Sequence, residues 1–336
     1  MGIFTSDFEQ GRGGIAYRGE ASDVWHRLGA SKKNDHTTRE EWLRDAGLNW
    51  HAVKAPVRYD FNGSLRTADD LCLMIRHDTG AVLGRQVVTD VYQAVQPSES
   101  YDFQDQFCGT DERFKHDVMG CFKGGSIVWG SALYRDELTI ANEPHIMRLM
   151  FSTTFDGSGA TRVQACVTRP VCDNTIAMAH TEHSGAIISV RHNTPFNRER
   201  VGKQLAGLVA ATTRYKAMGD AMQSVIMSKE DVSKLFKTLL EIPFDAKPDD
   251  ISTRKMNQFR ALSTAFTTTQ RERNSTEINA WSALQAVTRY VDHDRVGVNG
   301  DRGEKQFLSA NFGSGDAMKG HAMALIMPLI KDKIAA

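Results

Sequence analysis

The chain has 336 residues, 41% of them apolar and 24% charged, and its 41 basic and 41 acidic side chains cancel to a formal net charge of zero. Such a composition suits a soluble globular protein long enough for two packed domains or one elaborated domain. Without a global field, affinity for naked duplex DNA or an acidic membrane is disfavoured, so any polyanion site must be a local basic patch.

Residues 1–35, rich in Gly, Ser and charge, predict an irregular arm in which Val24-Trp25-His26-Arg27-Leu28-Gly29 forms a small apolar knot. The opening MGIFTSDFEQGRGG has no apolar run of the secretory type, and residues 322–330 are too short to span a bilayer. The expectation is a soluble cytoplasmic protein without membrane partners. Thr37 and Thr38 ahead of Arg39-Glu40-Glu41 predict a capping-box start, with a helix running to Ala46 and ended by Gly47.

Residues 55–169 read mainly as strand, with β-rich runs at 81–88, 91–95, 126–134 and 145–152. Asp78-Thr79-Gly80, Lys123-Gly124-Gly125 and Asp156-Gly157-Ser158-Gly159 mark the turns between them, and a short helix is expected near residues 98–106. Short Gly-containing connections argue for antiparallel pairing. After Pro195 the period changes to helical: residues 198–227, a helix capped by Ser228 with Asp231 running to Leu240, then 252–266, 276–290 and a last helix from Asp316. Strands followed by helices predict an α+β protein, with an antiparallel β-sheet core in the N-terminal half and a mainly helical C-terminal half. The expected division is an arm (1–35), a strand-rich core (36–195) and a helical region (196–336).

No familiar catalytic pattern appears. Gly11-Arg12-Gly13-Gly14 and the Gly120–Gly125 stretch lack the strand–loop–helix setting of a nucleotide loop. His180-Thr181-Glu182-His183 and Asp292-His293-Asp294 fit no metal signature and read more simply as helix ends. There is no GxSxG elbow, and carboxylates such as Asp69-Asp70 and Asp249-Asp250 resemble solvated turns. Five scattered cysteines with no CxxC pair suggest reduced, mostly buried thiols. A non-enzymatic protein is expected, with no catalytic residue, cofactor or metal. Met218, Met222 and Met227, and Met318, Met323 and Met327, fall near helical spacing and read as core or oligomer packing.

Basic residues interleaved with amides carry the functional signal. Residues 162–193 hold Arg162, Arg169 and Arg191 with Asn174 and Asn193; Asp173 and Asn174, following Pro170, are expected to cap a short helix and orient the arginines. Arg198, Arg200 and Lys203, with Arg214 and Lys216 beyond them, form a second basic run, and Arg254, Lys255 and Arg260 open a third. Phosphate binding needs Arg or Lys together with amide and hydroxyl donors, which these stretches supply. A charged helix face is more often merely solvated. Single-strand binding also requires exposed aromatics, for which Trp50, Tyr92, Trp129 and Tyr134 are candidates.

Several motifs together resemble the phage/plasmid-like proteins of domain-of-unknown-function family 932. They are Trp25-His26-Arg27-Leu28-Gly29, Ala46-Gly47-Leu48-Asn49-Trp50, Arg76-His77-Asp78-Thr79-Gly80, Tyr92-Gln93-Ala94-Val95-Gln96 and Asp156-Gly157-Ser158, followed by Arg169-Pro170-Val171-Cys172-Asp173-Asn174-Thr175, His192-Asn193-Thr194, Asn279-Ala280-Trp281 and Tyr290-Val291-Asp292-His293. The resemblance covers residues 20–325 and implies mobile-element biology in a bacterial host. By fold-level analogy it suggests a role like that of ring-forming single-strand annealing proteins. The leading expectation is therefore an oligomeric single-stranded-DNA-binding protein of recombination or replication. The rivals are a virion-associated or anti-defence interaction protein and, behind it, a metal-dependent nuclease.

Overall fold

The computed structural model describes residues 14–18, 31–34, 36–110, 114–136, 138–169, 174–177, 187–295 and 303–334. In chain order the elements begin with β1 (Ile15–Arg18), β2 (Ser31–Lys33), α1 (Arg39–Asp45), β3 (Ala52–Phe61), β4 (Ser64–Arg76), β5 (Val88–Thr89) and α2 (Pro97–Thr110). They continue with β6 (Phe114–Phe122), β7 (Ile127–Tyr134), β8 (Leu138–Ile140), β9 (Glu143–Thr154), β10 (Thr161–Arg169), β11 (Asn174–Ala177) and β12 (Ile187–Val190). Among the described residues the α-helices that follow are α3 (Arg198–Gln223), α4 (Lys229–Leu239), α5 (Thr253–Glu272), α6 (Ala280–Arg289), α7 (Glu304–Phe312) and α8 (Ser314–Ile334). The protein is α+β, its antiparallel sheets lying mostly in the N-terminal half and its helices in the C-terminal half.

The chain forms two compact units that interleave along the sequence. Unit 1 takes residues 1–135, 148–164 and 187–206; unit 2 takes 136–147, 165–186 and 207–336.

Unit 1 is built on a sheet of order β12-β10-β9-β7-β6-β1-β2, antiparallel at β6–β7 and β7–β9 and parallel at β1–β2. β1 is a difference from the expected irregular arm. Ile15 and Ala16 are fully buried and pair with Gly120 and Met119, because an apolar Ile-Ala-Tyr run can complete a sheet edge. The Trp25–Gly29 knot lies outside the described residues. One core gathers Trp42 and Leu43 of α1, Leu48, Trp50, Met74, Leu83 and Phe155 with Met119, Cys121 and Val128 of the sheet. Thr38 makes the expected reciprocal cap with Glu41, and Gly47 ends the first helix at φ +66°. Helix α2 lies close over β7. A Cβ on Gly130 would stand 2.1 Å from the Gln104 amide nitrogen, so a larger residue there requires the buried Gln104 side chain to shift.

A second, three-stranded sheet joins β3, β4 and β5. The predicted strands at 81–88 and 91–95 are reduced to a bridge between Val82 and Ile75 and the short β5. Gly84, at φ +85° and packed on Asp156, breaks the run where its apolar composition would have extended it.

Unit 2 is mainly helical. Every residue of α6 from Ala280 to Thr288 is buried, which matches the apolar character of a helix surrounded on all sides. Ser228–Asp231 caps α4 reciprocally, and Ser252 accepts from the Lys255 amide at the start of α5. Asn279 rather than Thr276 caps α6. α7 was not foreseen, because Gly303 and Gly313 at its ends obscure its short period. The Asp292–Asp294 turn is a charged helix end, with Asp292 3.1 Å from the buried Lys319 ammonium and Asp294 3.4 Å from Arg289.

The expected helix at Asp173-Asn174 is corrected. Asn174–Ala177 is a strand, β11, which pairs antiparallel with β10 and places Asn174 opposite Arg169. The β-branched Thr175-Ile176 pair favours extended backbone over a helical start. Asp173 and the His180–His183 cluster lie outside the described residues.

Candidate functional site

Within unit 1, the end of the β10–β12 pair and the chain leading into α3 collect the basic residues that remain accessible. Arg162 stands opposite Ser189, while Val163 stands opposite Ile188. Side chains alternate between sheet faces, so Val163 and Ile188 go to the buried face and Arg162, Ser189 and Arg191 share the exposed one.

The segment that follows is held at two aromatic anchors. The His192 ring stacks on Tyr92 with centroids 4.6 Å apart, and its Nδ1 lies 3.0 Å from the Gln93 carbonyl oxygen. The Gln93 amide donates to the His192 carbonyl, and the Tyr92 hydroxyl donates to the Thr154 carbonyl at 2.6 Å. Burial holds the His192 imidazole below its ordinary pKa, so it sits neutral in this position. Four residues on, Phe196 meets Phe103 and Phe151 edge-on, with centroids 5.1 and 6.1 Å away. On either side of His192, Arg191 and Asn193 are exposed, and Asn193 Oδ1 accepts from the Thr194 hydroxyl.

Asn197 then accepts from the Arg200 amide at 2.8 Å and opens α3 at Arg198. Arg200 and Lys203 are exposed on its first turns, and Lys203 pairs with Glu199 at 2.7 Å in a setting that water screens. Residues 187–206 thus present Arg191, Arg200 and Lys203, in a stretch of sequence whose single acid is Glu199. Exposed arginines on a sheet rim, followed by a helix N-terminus, can hold successive phosphates through charge and backbone N–H dipoles.

The remaining predicted residues belong to unit 2. Arg169 is buried there, its Nε 2.6 Å from Glu143 Oε2 in an ion pair off the hydrogen-bond axis, and the same carboxylate meets Arg273. Such a guanidinium holds a core together and is not accessible to a polyanion. Arg254 and Arg260 are exposed on α5, whereas the Lys255 ammonium donates to the Glu241 carbonyl at 2.8 Å.

The expected stacking residues are corrected. Trp50, Tyr92 and Trp129 are core side chains, and Tyr134 packs on Phe114 with centroids 5.0 Å apart. Large apolar runs place aromatics in the interior first, and spacing alone does not tell inward from outward. Accessible rings lie elsewhere among the described residues: Phe244 is 62% exposed, and Tyr59 and Phe61 of β3, paired on one strand, are 46% and 51% exposed. The Asn62-Gly63 dipeptide between two β-branched and aromatic runs is the signal that marks this hairpin.

Among the described residues, no three His, Cys, Asp or Glu side chains converge to hold a metal ion. None of the described cysteines is in a disulfide, and burial raises the Cys108 thiol to about 12. No helix among the described residues is long and apolar enough to cross a membrane.

Comparison with known protein families matches residues 85–312 to the domain of unknown function DUF932, a span that includes the basic rim and most of both units. The chain belongs to the DUF932 family. The DUF932 region begins after the β3–β4 hairpin and ends within unit 2, at the close of α7. No curated protein and no solved structure matches the chain.

Proposed function

We propose that this DUF932 protein is a phage- or plasmid-encoded, non-enzymatic single-stranded-DNA-binding or strand-annealing protein that works as a homo-oligomer in recombination or replication. The observation that supports the reading is the anchored basic segment of unit 1, where Arg162 and Arg191 share an exposed sheet face and lead into Arg200 and Lys203. In this reading Arg162, Arg191, Arg198, Arg200 and Lys203 contact phosphates, and Asn193 orients the strand. Arg254 and Arg260 are secondary contacts on α5. A neutral chain needs such a local patch, because its overall charge does not attract a polyanion.

The test is mass measurement in solution with and without a single-stranded oligodeoxynucleotide, combined with affinity measured across salt. For single strands the slope of log K against log salt is about −0.7 per phosphate neutralised. Arg162→Ala with Arg191→Ala should therefore flatten the slope by about 1.4 and weaken binding. A wild-type protein that stays monomeric and binds no oligonucleotide overturns the proposal; an unchanged slope in the double variant overturns the assignment of the rim.

A further inference from the structure

We infer that the tip of the β3–β4 hairpin is a base-stacking arm for the same single strand, with Tyr59 and Phe61 as its platforms and Arg66 as its cation; this inference rests on the function proposed above. Among the described residues strand β5 pairs with β4 at Leu71 and Cys72 alone, so the outer part of the hairpin is there a two-stranded ribbon. Every residue from 58 to 67 is exposed. Isolated two-stranded ribbons are marginal in water, and most of this one's apolar side chains gain nothing from its own fold.

The ribbon's geometry is well specified. Asn62 and Gly63, at φ +54° and +76°, make the tight turn, and Asp60 accepts from the Gly63 amide at 3.1 Å. Pairing runs Phe61↔Ser64, Tyr59↔Arg66, Asp60↔Leu65 and Arg58↔Thr67. Alternation then places Tyr59, Phe61, Ser64 and Arg66 on one face and Arg58, Asp60, Leu65 and Thr67 on the other. The Arg66 guanidinium lies 4.9 Å from the centre of the Phe61 ring. Below the tip the register shifts between Pro56 and Arg58, and Asp70 takes φ +59°. Such a bulge kinks a ribbon locally and increases its twist.

The chemistry of this face selects its partner. It carries two exposed rings, one cation and no carboxylate, which complements an anionic chain of aromatic bases. Residues two apart on a strand stand about 6.8 Å apart, twice the rise of roughly 3.4 Å per nucleotide of a stacked strand. A base can stack on this face by taking the place of the Arg66 guanidinium on Phe61, which frees that cation for the adjoining phosphate. Stacking of this kind accepts any base, as an annealing or coating protein requires.

The experiment titrates an oligodeoxythymidylate into the full chain at several salt concentrations, comparing wild type, Tyr59→Ala/Phe61→Ala and Tyr59→Phe/Phe61→Tyr. The alanine pair should weaken binding by roughly fivefold or more per ring while leaving the salt slope unchanged, and the aromatic swap should retain affinity. Phe61→Trp should show indole quenching on binding beyond that of the wild-type tryptophans. If wild type binds and the alanine pair binds equally well, the arm is refuted and the rim assignment stands. If the alanine pair lowers the assembly mass without changing affinity per protomer, the ribbon contacts protein and the inference fails. If wild type binds no oligonucleotide, the underlying function fails with it.

Discussion

Replacing Glu143 by Gln tests whether Arg169 is a structural residue. Its carboxylate faces Arg169 Nε at 2.6 Å and also meets Arg273, and those two side chains are only 3% and 5% exposed. An amide of the same shape leaves two guanidiniums near each other with no anion between them. Breaking a buried ion pair on one side costs about 3–5 kcal/mol. Because the Glu143 side chain is itself 14% exposed, the lower end, about 3 kcal/mol, is the expected loss. For a unit of this size that corresponds to a fall in Tm of about 6–12 °C. Arg169→Met instead leaves Glu143 and Arg273 as a one-to-one pair and keeps the volume filled, so it should cost less than about 1.5 kcal/mol. It should also leave oligonucleotide affinity unchanged. Urea unfolding followed by circular dichroism and by tryptophan fluorescence, which reports the fully buried Trp281 of unit 2, measures all three proteins. A Glu143→Gln protein as stable as wild type, or an Arg169→Met protein less stable than Glu143→Gln, refutes the reasoning.

Burial holds His116, His145 and His192 below the ordinary imidazole pKa, so the unfolded chain takes up protons first as the pH falls through about 6.5. The unfolded state then binds more protons, and the urea midpoint should decline between pH 7 and pH 5 while staying level above pH 7; a flat acid limb would contradict this. Gly130→Ala drives a Cβ to 2.1 Å from the buried Gln104 amide, so it should cost about 1–3 kcal/mol, read as a lowered Tm. Asn279→Ala removes the reciprocal cap of the buried helix α6 and should cost about 1–2 kcal/mol, whereas Thr276→Ala should be close to neutral in the same melt.

The helices were legible because their starts are written locally. Thr38–Glu41, Ser228–Asp231 and Ser252 each announce a cap within three residues, and the structure uses all of them. Strands are set by partners far along the chain, so β1 could not be read from Ile15-Ala16-Tyr17 without Gly120 and Met119 beside it. The same limit separates Arg162 from Arg169. Both lie on β10 in an arginine-rich segment, but one is exposed opposite Ser189 and the other finds Glu143, twenty-six positions back. Charge pattern identified the segment and pairing decided which guanidinium meets solvent. For Tyr59 and Phe61 the turn chemistry of Asn62-Gly63 was present, but the exposure of the ribbon depends on β5 being short, which only the fold reveals.

The interleaving of the two units sets the order in which the protein can assemble on the ribosome. Unit 1 closes only when residues 148–164 and 187–206 have followed residues 1–135 out of the exit tunnel. Until β9 arrives, β7 presents an unpaired edge carrying Val128 and Trp129. At roughly 5–20 residues per second, that interval is on the order of a second or more. Open strand edges of this kind recruit each other, so expression at high rates should favour inclusion bodies, and slower translation or a holdase should recover native protein. A cut at residue 195 cannot yield an independent half, because it severs unit 1 from the segment anchored by Phe196.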